Sequence, residues 1–303
     1  MDSRATSDTD RPALDPTPTA PALTGLAPAA LTPADRALIT AMGTHAAADG
    51  PPLRVLDVIH RNLTAPAGEL DLPSTDDSDD SDEVSLVKEY GGAPAVELPR
   101  PGGRAGLPPL NRVIADRHSC YAYDDRPLGL ADLGDLLHHA AGVKQLAQTP
   151  IGSIPVRMAP SAGSLQPVNV YVAASRVDDL EPGVYYYQPV RHELELVSPG
   201  DPGPSLTSGC MQDFVGTCAA TLVLTCSLDR VVWHYGHRAY RSVHLDAGVL
   251  AQNLMLVGTA LDLATCAVFG FFDDDLNRLV GADGRDEITA LALAVGHPAA
   301  AAD

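Results

Sequence analysis

The stretch Ser242 to Leu263 constrains this chain most. It is apolar nearly all round, so it reads as a buried helix covered on every side. It looks too hydrophobic for a monomer surface. Ala219 to Ser227 is a long, nearly uninterrupted apolar run suited to the middle of a sheet, and Ile288 to Val295 is a final buried strand. Val168 to Ala173, Gly183 to Tyr187 and the alternating Glu193-Leu194-Glu195-Leu196-Val197 add further strands. Leu110 to Ala115 reads as a helix, as does Leu130 to Ala141, where Leu133, Leu136 and Leu137 share a face and Gly142 supplies the C-cap. Helices and strands do not alternate strictly. The expected class is therefore α+β, with helices packed around a mainly antiparallel sheet.

The regular part begins near residue 109. Residues 1–32, rich in Pro, Ala, Thr and Asp, are expected to be a disordered tail. Residues 33–108 form an extension: a short helix from the Thr32-Pro33 start to about Met42, a second over Leu53 to His60, the acidic run Thr75 to Glu83, and a Pro/Gly-rich connector from Pro94 to Pro109. The acidic run lacks the glycine and spacing of an EF-hand and reads as a solvated loop. The core domain then spans 109–298, with a short tail at 299–303.

Net charge is -19, which argues against binding nucleic acid through its phosphates. No run reaches the ~18 apolar residues of a membrane span, and the polar start lacks a signal peptide's apolar region. A soluble cytoplasmic protein is expected. The five cysteines are odd in number and widely spaced, with no CxxC, which argues against a disulfide framework or a zinc site. Nothing matches GxGxxG after a strand, Walker A, HExxH or GxSxG.

Four pieces carry chemistry. Arg117-His118-Ser119 follows a helix, and its guanidinium suits a phosphate or polarised carbonyl. Pro160-Ser161-Ala162-Gly163-Ser164-Leu165-Gln166-Pro167 is a donor-rich loop entering a strand, and Gly163 lets a planar ligand approach the backbone. His234-Tyr235-Gly236-His237-Arg238-Ala239-Tyr240-Arg241 packs two each of His, Tyr and Arg before the apolar helix. Val268-Phe269-Gly270-Phe271-Phe272-Asp273 pairs close backbone approach with aromatic rings. Taken singly, each is also compatible with an ordinary loop or turn.

In this order the pieces resemble the nitroreductase superfamily, specifically its SagB/McbC-type dehydrogenases. Arg117 and Ser119 match the opening arginine-serine motif, with His118 where a second arginine is common. Pro160 to Pro167 matches the proline-serine-glycine loop, and Pro182 to Tyr187 a glycine-tyrosine-tyrosine phrase. Tyr235 to Arg241 matches "YGxRAYR", followed by Gly248, Gln252, Asn253 and Leu254, and Ala294 to Pro298 matches "AVGxP". The resemblance implies a nitroreductase-like fold, FMN, and a domain-intertwined homodimer with flavin at the subunit interface. It places Arg117, His118 and Ser119 on the flavin's phosphate, ribityl chain or pyrimidine edge. Ser161, Gly163, Ser164 and Gln166 fall on its ring and ribityl side, and Phe269 and Gly270 near N5. Arg241 or Arg238 takes the place of the basic phosphate ligand that many relatives carry near the C-terminus.

Best-known members of that branch oxidise thiazolines and oxazolines in a ribosomal precursor peptide to azoles, removing a hydride and a proton from neighbouring ring carbons. They carry a lysine-tyrosine pair where this chain has His234-Tyr235. A free tyrosine titrates near 10 and needs help to act as a base, whereas a neutral histidine can serve as the base itself. The expected catalytic residues are therefore Tyr235 and His234. The expected partners are a precursor peptide and a cyclodehydratase complex. Two alternatives remain: an NAD(P)H-dependent flavin reductase of nitro, quinone or dehydroalanine substrates, and a non-catalytic scaffold subunit.

Overall fold

The computed structural model describes Leu63 and residues 86–102, 106–149 and 152–300, all within the unit Leu63–Asp303. The tail at 1–32, the two short helices expected near 33–42 and 53–60, and the acidic run 75–83 lie outside the described residues.

The centre is a seven-stranded sheet in the order β1-β6-β5-β4-β7-β9-β8. Its strands are β1 (Ala95–Glu97), β4 (Val168–Ala174), β5 (Gly183–Gln188), β6 (Glu193–Pro199), β7 (Ala220–Ser227), β8 (Ala264–Val268) and β9 (Glu287–Gly296). Every pairing is antiparallel, as the sequence leads one to expect. A separate hairpin joins β2 (Val143–Thr149) to β3 (Gly152–Arg157). The helices are α1 (Leu110–Asp116), α2 (Leu130–Ala141), α3 (Gly203–Gly209), α4 (Asp229–Tyr235), α5 (Ala239–Ala260) and α6 (Asp273–Val280).

Alternation along the strands builds two cores, because successive side chains point to opposite faces. Val168, Val170 and Val172 of β4, Leu222 and Leu224 of β7, and Leu291 and Leu293 of β9 face α2 and α5. Tyr171, Tyr186, Val223 and Ala292 face the other way, onto Leu206 of α3 and Leu276 and Val280 of α6. Leu222 and Leu224 are fully buried, and each such side chain stabilises the fold by about 1.5–3 kcal/mol. The apolar run read as a mid-sheet strand is thus central because both its faces are covered.

Several expectations need correcting. The helix expected at Ser242 to Leu263 is α5, which starts and ends three residues earlier and is covered on one side only. Val243, Ala247, Leu250, Ala251 and Leu254 are buried at helical spacing, while Tyr240, Leu245 and Val249 stand 41–63% exposed. An apolar outer face looked like burial in the sequence. Gly142 does follow α2, but with φ -66°, not in the left-handed region. It is required for space: a Cβ there would lie 2.5 Å from the His138 carbonyl oxygen. The Pro94–Pro109 connector contains β1, which pairs with β6 from Ala95↔Glu195 to Glu97↔Glu193. Hairpin β2–β3, edge strand β8 and helix α6 had not been expected.

Candidate functional site

The loop Pro160 to Pro167, entering β4, holds an unusual backbone. Gly163, Ser164 and Gln166 all have positive φ, at 58°, 59° and 51°. For serine and glutamine this costs on the order of 1–3 kcal/mol each and persists only where surrounding contacts enforce it. Those contacts are present. The Asp246 carboxylate of α5 accepts the Ala162 N–H at 3.0 and 3.2 Å. Ser161 Oγ accepts the Gln166 N–H at 3.0 Å. Arg230, buried on α4, donates Nη1 to the Gln166 carbonyl at 3.1 Å and to Asn169 Oδ1 at 2.9 Å. Burial pushes the Asp246 carboxyl up from its ordinary value, opposed by its bond from Ala162. The loop therefore turns Gly163 and Ser164 outward while Leu165 and Gln166 are buried. The cavity beneath it, of about 10 Å³, has room for one water and no more. A planar ligand of flavin size does not fit in that cavity.

Tyr235 reaches over that outer side. It ends α4, and a Cβ built on Gly163 would fall 2.8 Å from its hydroxyl. Glycine is thus required there both for its dihedral and for the tyrosine above it. The His234 ring meets Tyr235 edge-on, with centroids 4.6 Å apart and an 83° interplanar angle. His234 Nδ1 is buried without a partner, and so is Arg241 Nη2 one turn into α5. An unpaired buried polar atom costs about 1–3 kcal/mol, so such atoms call for a bound group. Of these, the Arg241 guanidinium is the group that suits an anionic ligand.

The remaining predicted residues lie along β8. The Cys120 N–H donates to the Thr265 carbonyl at 3.1 Å. Arg117 caps α1 through the Val113 carbonyl, and Cys120, three residues on, sits on the outer edge of β8. His118 is exposed, with Nδ1 2.9 Å from the Asp116 carbonyl. Phe269, just past β8, is 74% exposed, and the Gly270 carbonyl accepts the Met211 N–H at 2.9 Å. Nearby, Gln212 Oε1 is a third buried atom without a partner. Strands β7 and β9 separate the loop before β4 from β8, three spacings of ~4.8 Å, or about 14 Å. One chain thus brings together Ser161, Gly163, Ser164, Gln166, Tyr235 and His234 at one place, with Arg241 in the first turn of α5. Ser119 precedes Cys120 at the edge of β8, and Phe269 and Gly270 follow that strand.

The sequence reading missed the residues that hold the loop, Asp246, Arg230 and Asn169. Asp246 left a signal, being the only carboxylate between Asp229 and Asp262.

The nitroreductase family profile matches residues 114–297. The nitroreductase candidate MJ1384 of Methanocaldococcus jannaschii is 31% identical over 172 residues, covering 56% of this chain and 83% of that protein. The microcin B17-processing protein McbC of Escherichia coli is 25% identical over 132 residues, 42% of this chain and 48% of McbC. Among solved structures, a nitroreductase candidate of Ralstonia eutropha superposes with a TM-score of 0.57 at 27% identity, over 71% of this chain and 94% of that one. One from Anabaena variabilis reaches 0.65 at 24% identity, over 84% of this chain but only 49% of that one. The E. coli microcin synthetase McbBCD complex with truncated pro-MccB17 bound shares the fold, with a TM-score of 0.54 at 17% identity, over 82% of this chain and 93% of that one. Among the described residues no helix is long and apolar enough to cross a membrane. The fold, the profile match and the relatives agree: the chain belongs to the nitroreductase family, an oxidoreductase class.

Proposed function

We propose that the protein is an FMN-dependent dehydrogenase that oxidises azolines in a ribosomally made peptide, with Tyr235 carrying the proton transfer. The observation behind this reading is the Tyr235 hydroxyl poised over Gly163 on the open side of the strained loop. Family members typically bind flavin. Here Ser161, Ser164 and Gln166 would hold its ring side, Arg241 its phosphate, and Arg117, His118, Ser119, Phe269 and Gly270 its far edge. FMN, when bound, supplies a two-electron acceptor. The chain's own part is to orient the substrate ring and take its proton on Tyr235 Oη in its phenolate form, which becomes the hydroxyl, with the edge-on His234 imidazole shaping its surroundings. The likeness to McbC, named for microcin B17 processing, supports the peptide substrate. A second reading, reduction of small molecules by NAD(P)H, is favoured by the relative known only as a nitroreductase candidate and by histidine in place of lysine at position 234.

The purified protein is expected to be yellow and to release noncovalent FMN on heating, identified by mass spectrometry. Arg117→Ala should lower flavin occupancy, since losing a hydrogen bond to a charged group costs on the order of 1.5–3 kcal/mol. Release of FAD, or no flavin after reconstitution, contradicts the cofactor. Flavin reduction by NADPH but not by an azoline peptide selects the second reading.

A homodimer completes the site. The two halves of the predicted set stand apart in one chain, and α5 leaves Tyr240, Leu245 and Val249 uncovered. Light scattering at micromolar concentration should give twice the chain mass, and a flavin-loaded monomer rejects this.

A further inference from the structure

A second concavity lies on the other side of the α2–β2 junction. It has a volume of about 500 Å³ and is walled by hairpin strand β2, the β5–β6 turn, residues Arg100-Pro101 and the end of α2. In a chain of net charge -19 its lining is cationic: Arg100 from one wall, Lys144 from another, with His138 and His192 between. Among the described residues neither Arg100 nor Lys144 has an ion-pair partner. Arg191, also in the lining, is already matched by Glu89, Glu193 and Glu195.

Burial holds both imidazoles below their usual value. His192 and His139 repel the His138 charge, while Asp135 favours it; Arg100 repels that of His192, which Asp135 and the Pro99 carbonyl favour. His192 is fixed by the Tyr187 hydroxyl at 3.0 Å and the Pro99 carbonyl at 3.1 Å. The groove thus presents two free cations, with half-exposed Leu146 and Val190 beside them.

We propose that this groove docks an acidic, partly apolar segment of the peptide substrate, a proposal that rests on the peptide reading above. Charge complementarity selects an acidic partner, and Leu146 and Val190 fit peptide side chains. The field of the whole molecule disfavours a longer polyanion such as a nucleic acid. Position agrees. Ala141 lines the small cavity under the Pro160–Pro167 loop and Val143 lines the groove, two residues apart and so within about 7 Å along the chain. The groove is thus one α2–β2 junction away from the elements that pack under that loop, and a peptide held there can extend toward it.

The test is fluorescence anisotropy of a short fluorescein-labelled peptide alternating glutamate with leucine, against its glutamine counterpart, on the flavin-loaded protein at low salt. The acidic peptide should bind and the glutamine form should not. The double variant R100E/K144E should bind about tenfold or more weakly while keeping its flavin absorbance and melting temperature, because attraction becomes repulsion at two rim charges. High salt should weaken the wild type likewise. Equal binding by wild type and double variant overturns the proposal. So does displacement by NADPH, which would make the groove a nucleotide site. It is also overturned if binding appears only after the chain's own acids at Asp76–Glu83 are changed to amides. The assay involves no turnover. Tight, charge-dependent binding without azoline oxidation upholds the docking groove and removes the azoline reading alone.

Discussion

Replacing Tyr235 with phenylalanine leaves flavin bound and slows flavin reduction by an azoline peptide about 10²–10⁴-fold, the usual contribution of a general acid–base group. The substitution removes only the oxygen above Gly163 and keeps the ring that packs edge-on against His234. The strained loop is held from below by Asp246 and Arg230, so its shape does not depend on that hydroxyl. His234→Ala should slow turnover less than Tyr235→Phe, because no hydrogen bond joins His234 to the Tyr235 hydroxyl. Single-turnover absorbance across pH measures both. A wild-type rate in Tyr235→Phe takes the hydroxyl out of the chemistry, and a larger loss in His234→Ala makes the imidazole the base.

Glu287→Ala should cost about 3 kcal/mol of stability. Glu287 starts β9, and its carboxylate accepts Lys88 Nζ at 2.7 Å, the Tyr171 hydroxyl at 2.9 Å and Asn169 Nδ2 at 3.0 Å, along with the Thr225 hydroxyl. Removing one partner of a buried pair costs roughly 3–5 kcal/mol. The low end applies because the Lys88 side chain remains 29% exposed. For a domain of this size the melting temperature should drop by about 6–12 °C. Burial works against the Glu287 charge, but Lys88 and the hydroxyls prevail and hold its pKa below the ordinary 4.5. Its stabilisation is present above the unfolded value and disappears as pH falls through the lowered one. Lys88, raised above 10.5 by Glu287 despite burial, contributes below its unfolded value and loses that contribution as pH rises through the raised one. Stability from the pair should therefore be flat from about pH 5 to 10, and acid unfolding should be shallower in the variant. A melting temperature within 2 °C of wild type in Glu287→Ala, by about the resolution of such scans, would show the pair to be dispensable.

The sheet was legible because its strands are apolar and alternate in ways burial enforces. Val168 to Ala173 and Ala219 to Ser227 each fall within one residue of the observed strand at both ends. Hairpin β2–β3 was not, since Pro155 interrupts β3 and polar Lys144, Gln145 and Gln148 dilute β2. Strand β8 was hidden by the turn that follows α5. Ser161, Ser164 and Gln166 were legible as donors and Gly163 as a point of close approach, but the left-handed backbone at Ser164 and Gln166 was not. Nothing local in Ser164 or Gln166 demands positive φ; Asp246 and Arg230 impose it from distant elements. Nor could the sequence show that β7 and β9 come between the loop and β8.

The uncovered face of α5 carries a practical consequence. Where folding and association share one apolar surface, mass action couples them, and the thermal midpoint rises with protein concentration. Melting temperatures of this protein or its variants compared at unequal dilution would then mix two equilibria. A variant that only weakens pairing through Leu245 or Val249 would look unstable when dilute and normal when concentrated. Dilution is thus an axis as informative as temperature, and it separates damage to the core from damage to the surface that two chains share.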